Sequence, residues 1–187
     1  MEYDNLNKKN EIVHNTNDKK YEKRELFDLF SSFISVNGYK LIGDIDGKTS
    51  PYVLNISNDI NNYKLIIYYK NITGAGWNDK PHIKRVQVTN VRNDDINKYI
   101  STSSNETFLI LGYYNYDDNP IMVAWNAYNY VYHNTTRSCY IDIESLKEGY
   151  EKGFISKYYS NQKVWIFTAD YFEKFLQEYI NSNKVNR

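Results

Sequence analysis

The stretch that decides the fold is Tyr63 to Val88, "YKLIIYYKNITGAGWNDKPHIKRVQV". Its first part, Tyr63 to Thr73, is dense in β-branched and aromatic residues and reads as a strand. Gly74 and Gly76 break that strand, and Trp77 stands in the break. The chain then returns as "IKRVQVTNV", Ile83 to Val91, a second strand. Alternation places Ile83, Arg85 and Gln87 on one face of it, with Lys84, Val86 and Val88 on the other.

The same reading extends in both directions. Upstream, Glu22 to Asn37 carries Leu26, Phe27, Phe30, Phe33 and Ile34 at helical spacing, with Gly38 as the stop. Tyr39 to Gly43 and Tyr52 to Ile56 read as short strands around a turn. Downstream, Asp94 to Ile100 reads as a short helix. "TFLILGYYNY" and "PIMVAWNAY" are strands joined by a turn at Asp117-Asp118-Asn119-Pro120. "SCYID" is a strand that runs into a helix from Asp142 to Lys152, stopped by Gly153. "QKVWIFT" is a further strand. The last helix begins at Asp170, with Asp170 and Glu173 as a capping box and Phe172, Phe175, Leu176, Tyr179 and Ile180 as its apolar stripe.

Strands dominate and mostly follow one another directly. The expected class is therefore α+β, a largely antiparallel sheet or open barrel with helices at its ends. No repeat or linker divides the chain. The expectation is one domain over residues 21–182, a flexible tail over residues 1–20, and a short tail at 183–187.

Composition excludes several functions. The chain has 187 residues and no net charge, so no global field announces a nucleic acid or a membrane. No apolar run approaches the roughly 18 residues of a membrane span, and no signal peptide opens the chain, so a soluble cytoplasmic protein is expected. The single cysteine, Cys139, has no disulfide partner and reads as a small buried side chain. His14, His82 and His133 lack a second ligand at metal-binding spacing, so neither metal nor cofactor is expected. No nucleophile elbow is present.

"GDIDGKTS", Gly43 to Ser50, invites a phosphate-binding loop, but only three residues separate Gly43 from Gly47 where that motif needs four. A calcium loop would need later ligands that are missing. Asp46-Gly47-Lys48 fits half of a metal-dependent nuclease site without a convincing upstream acid. The favoured reading is a solvated turn.

Local charge remains. From Lys70 to Arg92, five cations (Lys70, Lys80, Lys84, Arg85, Arg92) stand against Asp79 alone, a local +4. A second polar segment, "NYVYHNTTRSC", Asn129 to Cys139, joins two strands. Arg and Asn can read guanine and adenine edges, and hydroxyls suit phosphate oxygens. Trp77 either stacks on a sugar or base or pins its loop to the body of the domain.

Two polar loops, after the first and fourth strands of a strand-rich core, resemble the arms of the B-three pseudobarrel. Plant transcription factors carry that fold, as do the recognition domains of restriction enzymes such as EcoRII, BfiI and NgoAVII. The "IKRVQV" strand is similar to the "RIQ" strand beside the first arm of such domains, and residues 63–180 resemble the specificity domain of LlaJI-type, McrBC-like restriction subunits. The resemblance implies a chain that binds double-stranded DNA in its major groove and performs no catalysis. Cleavage and motor activity would belong to partner subunits or domains. Trp77, Asn78, Lys80, His82, Lys84 and Arg85 would form the first arm and its exit strand. Asn129, Tyr132, His133, Asn134, Thr135, Thr136, Arg137 and Ser138 would form the second. The rival readings are a small magnesium-dependent nuclease using Asp46 and Lys48, and a protein-interaction module that does not bind DNA.

Overall fold

Strands buried on both faces appear as unbroken apolar runs, whereas half-buried strands alternate. The two longest strands of this chain are of the first kind. The computed structural model describes residues 5–6, 12–13, 18–46, 51–77, 79–88, 106–116, 119–130, 136–159 and 161–184. In chain order the elements are β1 (Asn5–Leu6), β2 (Ile12–Val13), α1 (Lys23–Ser35), β3 (Lys40–Asp46), β4 (Tyr52–Ser57), β5 (Asn62–Asn71), β6 (Thr73–Gly74) and β7 (Ile83–Val88). They continue with β8 (Glu106–Tyr116), β9 (Asn119–Asn126), β10 (Arg137–Asp142), α2 (Ile143–Lys152), β11 (Phe154–Tyr159), β12 (Gln162–Phe167) and α3 (Phe172–Lys184).

Seven strands form one sheet in the order β11-β12-β9-β8-β5-β4-β3. Its centre is β5 beside β8, paired in parallel from Lys64↔Glu106 to Asn71↔Tyr113, and its other described pairs are antiparallel. Strands β10, β7 and β6 form a second, smaller sheet. The helices lie on sheet faces. One face of the large sheet packs Leu65, Ile67, Leu109, Leu111 and Phe167 against Phe27, Phe30 and Phe33 of α1 and Phe172, Phe175 and Tyr179 of α3. The opposite face packs Ile66, Tyr68, Ile110, Val123 and Ile166 against Val86, Val88, Cys139 and Ile141 of the small sheet and Leu146 of α2. The result is three layers: helices, large sheet, then small sheet with α2.

Gly112 marks where the outer layer crosses the large sheet. A Cβ there would lie 2.5 Å from Ile72 Cγ1 and 2.8 Å from Val86 Cγ2. Only glycine lets the Ile72 crossover and β7 approach β8 so closely.

Several expectations need correction. The class is α+β, but the sheet is open and mixed and does not close into a pseudobarrel. The chain leaves β5 to build β6 and β7 in the other layer before it returns as β8, and such a crossover makes neighbours parallel. Helices cover the faces and not the ends, because their apolar stripes need broad apolar partners. The proposed capping box of the last helix is absent: a 3-10 turn, Ala169–Tyr171, leads into α3. Glu173 instead accepts hydrogen bonds from the Tyr39 hydroxyl and from Asn61 Nδ2. β1 pairs with β2, and Asp18 reaches into the core. The expected helix at Asp94–Ile100 and the aspartates of the expected turn at Asp117–Pro120 lie outside the described residues.

Other expectations hold closely. Helix α1 buries Leu26, Phe27, Phe30, Phe33 and Ile34, and Glu25 Oε2 accepts from the Glu22 N–H at 2.8 Å at its start. Asp142 caps α2 by accepting from the Ser145 N–H at 2.6 Å, and Gly153 ends it at φ +74°. No helix among the described residues is long and apolar enough to cross a membrane.

Candidate nucleic-acid interface

The small sheet places the sequence-derived candidates. Strand β6 turns into β7 through a hairpin closed by Ala75 N–H donating to the Ile83 carbonyl at 3.0 Å. Gly76, at φ +79°, takes the left-handed backbone that the turn requires. The tip is tied by Lys80 N–H donating to the Trp77 carbonyl and Ile83 N–H to the Lys80 carbonyl. Strand β7 then pairs antiparallel with β10, with Arg85 opposite Tyr140 and Gln87 opposite Ser138. On its other side Arg85 faces Thr73 of β6. Thr73, Arg85 and Tyr140 therefore form one row across three strands. The Ile143 N–H donates to the His82 carbonyl at 3.1 Å and ties the hairpin's end to the start of α2.

Strand alternation divides this sheet into two faces. Val86, Val88, Cys139 and Ile141 are fully buried against the large sheet. Arg85, Gln87, Ser138 and Tyr140 have the opposite parity and are exposed or half-buried. Trp77, 40% exposed, lies over this outer face with its ring 4.8 Å from that of Tyr140 and inclined at 31°. Lys80 Nζ sits 5.7 Å from the Trp77 ring centroid.

The outer-face side chains make few commitments to their neighbours. Among the described residues, Arg85 has no carboxylate partner, and the Trp77 indole N–H and Tyr140 hydroxyl make no hydrogen bond. Elsewhere many lysines are paired: Lys64 with Glu106, Lys152 with Glu148 and Lys163 with Glu178.

The structure divides the sequence-derived set. Trp77, Lys80 and Arg85 come together on or beside the outer face, with exposed His82 at the hairpin's end. Ser138 joins them from the second segment. Lys84 does not belong with them. It shares the inner face, is fully buried, and its Nζ lies 2.8 Å from Asp18 Oδ1. Its charge is spent inside the protein, so the local +4 overstates what the surface displays. Asn129 is exposed on the 3-10 turn Ala127–Tyr130, and Thr136 and Arg137 are exposed at the start of β10. Arg137 faces Val88, three residues along β7 from Arg85 and on the opposite parity. At about 3.3 Å per residue, that separates the two arginines by roughly 10 Å along the sheet. Asn78, Tyr132, His133, Asn134 and Thr135 lie outside the described residues, as does Lys48 of the rival nuclease reading.

Cys139 supplies no nucleophile. Burial pushes its thiol up to about 12, and burial likewise raises the Tyr130 hydroxyl beside it. The residues the sequence reading passed over are Thr73, Gln87 and Tyr140. Gln87 was visible in the alternation of "IKRVQV", whereas Thr73 and Tyr140 join the site only through strand pairing.

No curated protein and no solved structure matches the chain. Residues 63–176 match a known family, and the match takes in both polar segments and the whole small sheet while leaving α1, β3 and β4 outside. Since that match spans more than half of the 187 residues, the chain belongs to the methylase-associated X1 (MTaX1) family.

Proposed function

We propose that this chain is the DNA-contacting recognition module of a methylase-linked restriction–modification system, and that the outer face of β6, β7 and β10 is its contact surface. The observation that carries the reading is the uncommitted chemistry of that face. Arg85 and Gln87 on the three-stranded sheet, and Lys80 on the hairpin beside it, have no carboxylate partners among the described residues. Lysine and arginine neutralise phosphates and release counterions. Arg85 can donate in a fork to guanine, and Gln87 can pair bidentately with adenine. The Thr73 and Ser138 hydroxyls suit phosphate oxygens.

In this reading the chain acts like the specificity subunit of a LlaJI-type system. The hairpin at residues 75–82 and the segment at 129–138 serve as two arms, and cleavage and motor chemistry reside on partner subunits. The family's association with methylases supports placing the chain in such a system. Titration of labelled duplex DNA at several salt concentrations tests the proposal. Binding should weaken steeply with salt, with a slope set by the number of phosphate contacts. A flat salt response, or magnesium-dependent nicking by the purified chain, overturns it.

A further inference from the structure

The three tryptophans of the chain are treated very differently by the fold. Trp125 and Trp165 are each 1% exposed, and both indole N–H groups are used internally, donating to the Tyr140 carbonyl and to Glu178 Oε1 at 3.1 Å. Trp77 is 40% exposed and its N–H has no partner among the described residues. A tryptophan at a hairpin tip needs a reason to stay out of the core, because its apolar area is worth burying.

The tip holds this indole in place. Tyr140 supports the ring at 4.8 Å, and the Tyr140 carbonyl is anchored by buried Trp125. Tyr140 is the only ring that touches Trp77 among the described residues. Lys80 lies near the same indole, and Arg85 stands opposite Tyr140 in the β7–β10 ladder. An intact duplex presents phosphates and base edges, while its base faces are stacked on one another. An aromatic π-face with one cation at its ring and another on the strand beside its supporting tyrosine matches an unpaired base with its phosphates, since aromatic stacking is indifferent to which base it meets.

We infer that Trp77, supported by Tyr140, with Lys80 at its ring and Arg85 opposite Tyr140, is a stacking platform for an unpaired nucleotide. The inference rests on the proposed DNA-contacting face and adds the form of nucleic acid that its hairpin tip accepts: a single strand, or a duplex with an unstacked base beside the paired region.

The test uses the full chain and three fluorescein-labelled probes of one sequence: a paired duplex, the same duplex with a single-base bulge, and the single strand. Anisotropy gives affinities, and tryptophan emission with unlabelled probes reports Trp77, since the other two indoles are buried. The bulged and single-stranded probes should bind about tenfold more tightly than the paired duplex and quench the emission. Trp77→Ala should weaken the bulged and single-stranded probes about tenfold more than the paired duplex, so that the preference is lost, and Trp77→Phe should retain most of it. Circular dichroism checks that both variants fold. Equal losses on all three probes, or an unquenched indole, overturn the platform while the DNA reading stands. Failure to bind any probe overturns both.

Discussion

Lys84 Nζ and Asp18 Oδ1 lie 2.8 Å apart beneath the β6–β7 hairpin, with both side chains almost wholly shielded from water. The pair joins the N-terminal segment to the inner face of β7. Close by, the Tyr21 N–H donates to Asn71 Oδ1 and the Tyr21 carbonyl accepts from Asn71 Nδ2. Residues 18–21 thus strap the end of β5 and the start of the hairpin from one side.

Breaking this pair should unfold the protein more readily without touching the side chains on the outer face of the small sheet. Lys84→Ala or Asp18→Ala removes one member of a buried ion pair, which costs about 3–5 kcal/mol. Replacing both together, as Asp18→Leu with Lys84→Met, should recover much of the loss, because no charge then stays buried. Thermal denaturation of the four proteins reads this directly. If Lys84→Ala left the melting temperature unchanged but reduced the salt slope of DNA binding, Lys84 would be a surface contact after all.

Arg85→Ala should behave in the opposite way. Arg85 has no carboxylate partner among the described residues, so its loss should move stability by no more than about 0.5 kcal/mol. DNA affinity should fall by about 1–3 kcal/mol if the guanidinium reads a guanine edge. If it meets only a phosphate, all sequences should weaken together and the salt slope should drop by roughly one contact. Binding assays with cognate and scrambled duplexes separate the two, and unchanged affinity for both would remove Arg85 from the interface.

The contrast between these neighbours shows what the sequence disclosed. The alternation of "IKRVQV" already put Lys84 beside Val86 and Val88, on the face that became core. Counting charge along the chain grouped it with Arg85 instead, and Asp18, the residue that makes its burial tolerable, stands 66 positions away. The helices were legible because their stripes are local. The parallel pairing of β5 with β8 was not, since it depends on a crossover through the second layer. The Asp170–Glu173 capping box failed for a related reason: Glu173 is claimed by Tyr39 and Asn61, partners fixed by tertiary packing.

Alkaline pH should destabilise the fold. Burial raises the Cys139 thiol from 9.0 to about 12, and it also raises the hydroxyls of Tyr69 and Tyr179. A raised pKa means that the folded state holds its proton more tightly. For Cys139 the stabilisation is therefore complete below the unfolded value near 9.0 and is lost as pH climbs toward 12, and for the two tyrosines the loss begins near 10.0, at up to about 1.4 kcal/mol per pH unit for each group. Melting temperatures should be level between about pH 7 and 8.5 and fall above that. At pH 8 a maleimide should label Cys139 only as fast as the protein opens. Rapid labelling of the folded protein would contradict its burial.

Gly112 offers a test of the layered architecture itself. Alanine there would drive its Cβ into Ile72 and Val86, both buried and both branched at Cβ, so neither can swing aside freely. Overpacking of this kind costs about 1–3 kcal/mol. At about 2–4 °C per kcal/mol for a chain of this size, the melting temperature should fall measurably. Val86→Ala alone should also destabilise, by opening a cavity between β7 and β8. The two changes act on one contact, so the double variant should be more stable than the sum of the single losses implies, by about 0.5 kcal/mol or more. Strict additivity would mean that β7 does not cross β8 at Gly112, and the placement of the small sheet over the large one would have to be redrawn.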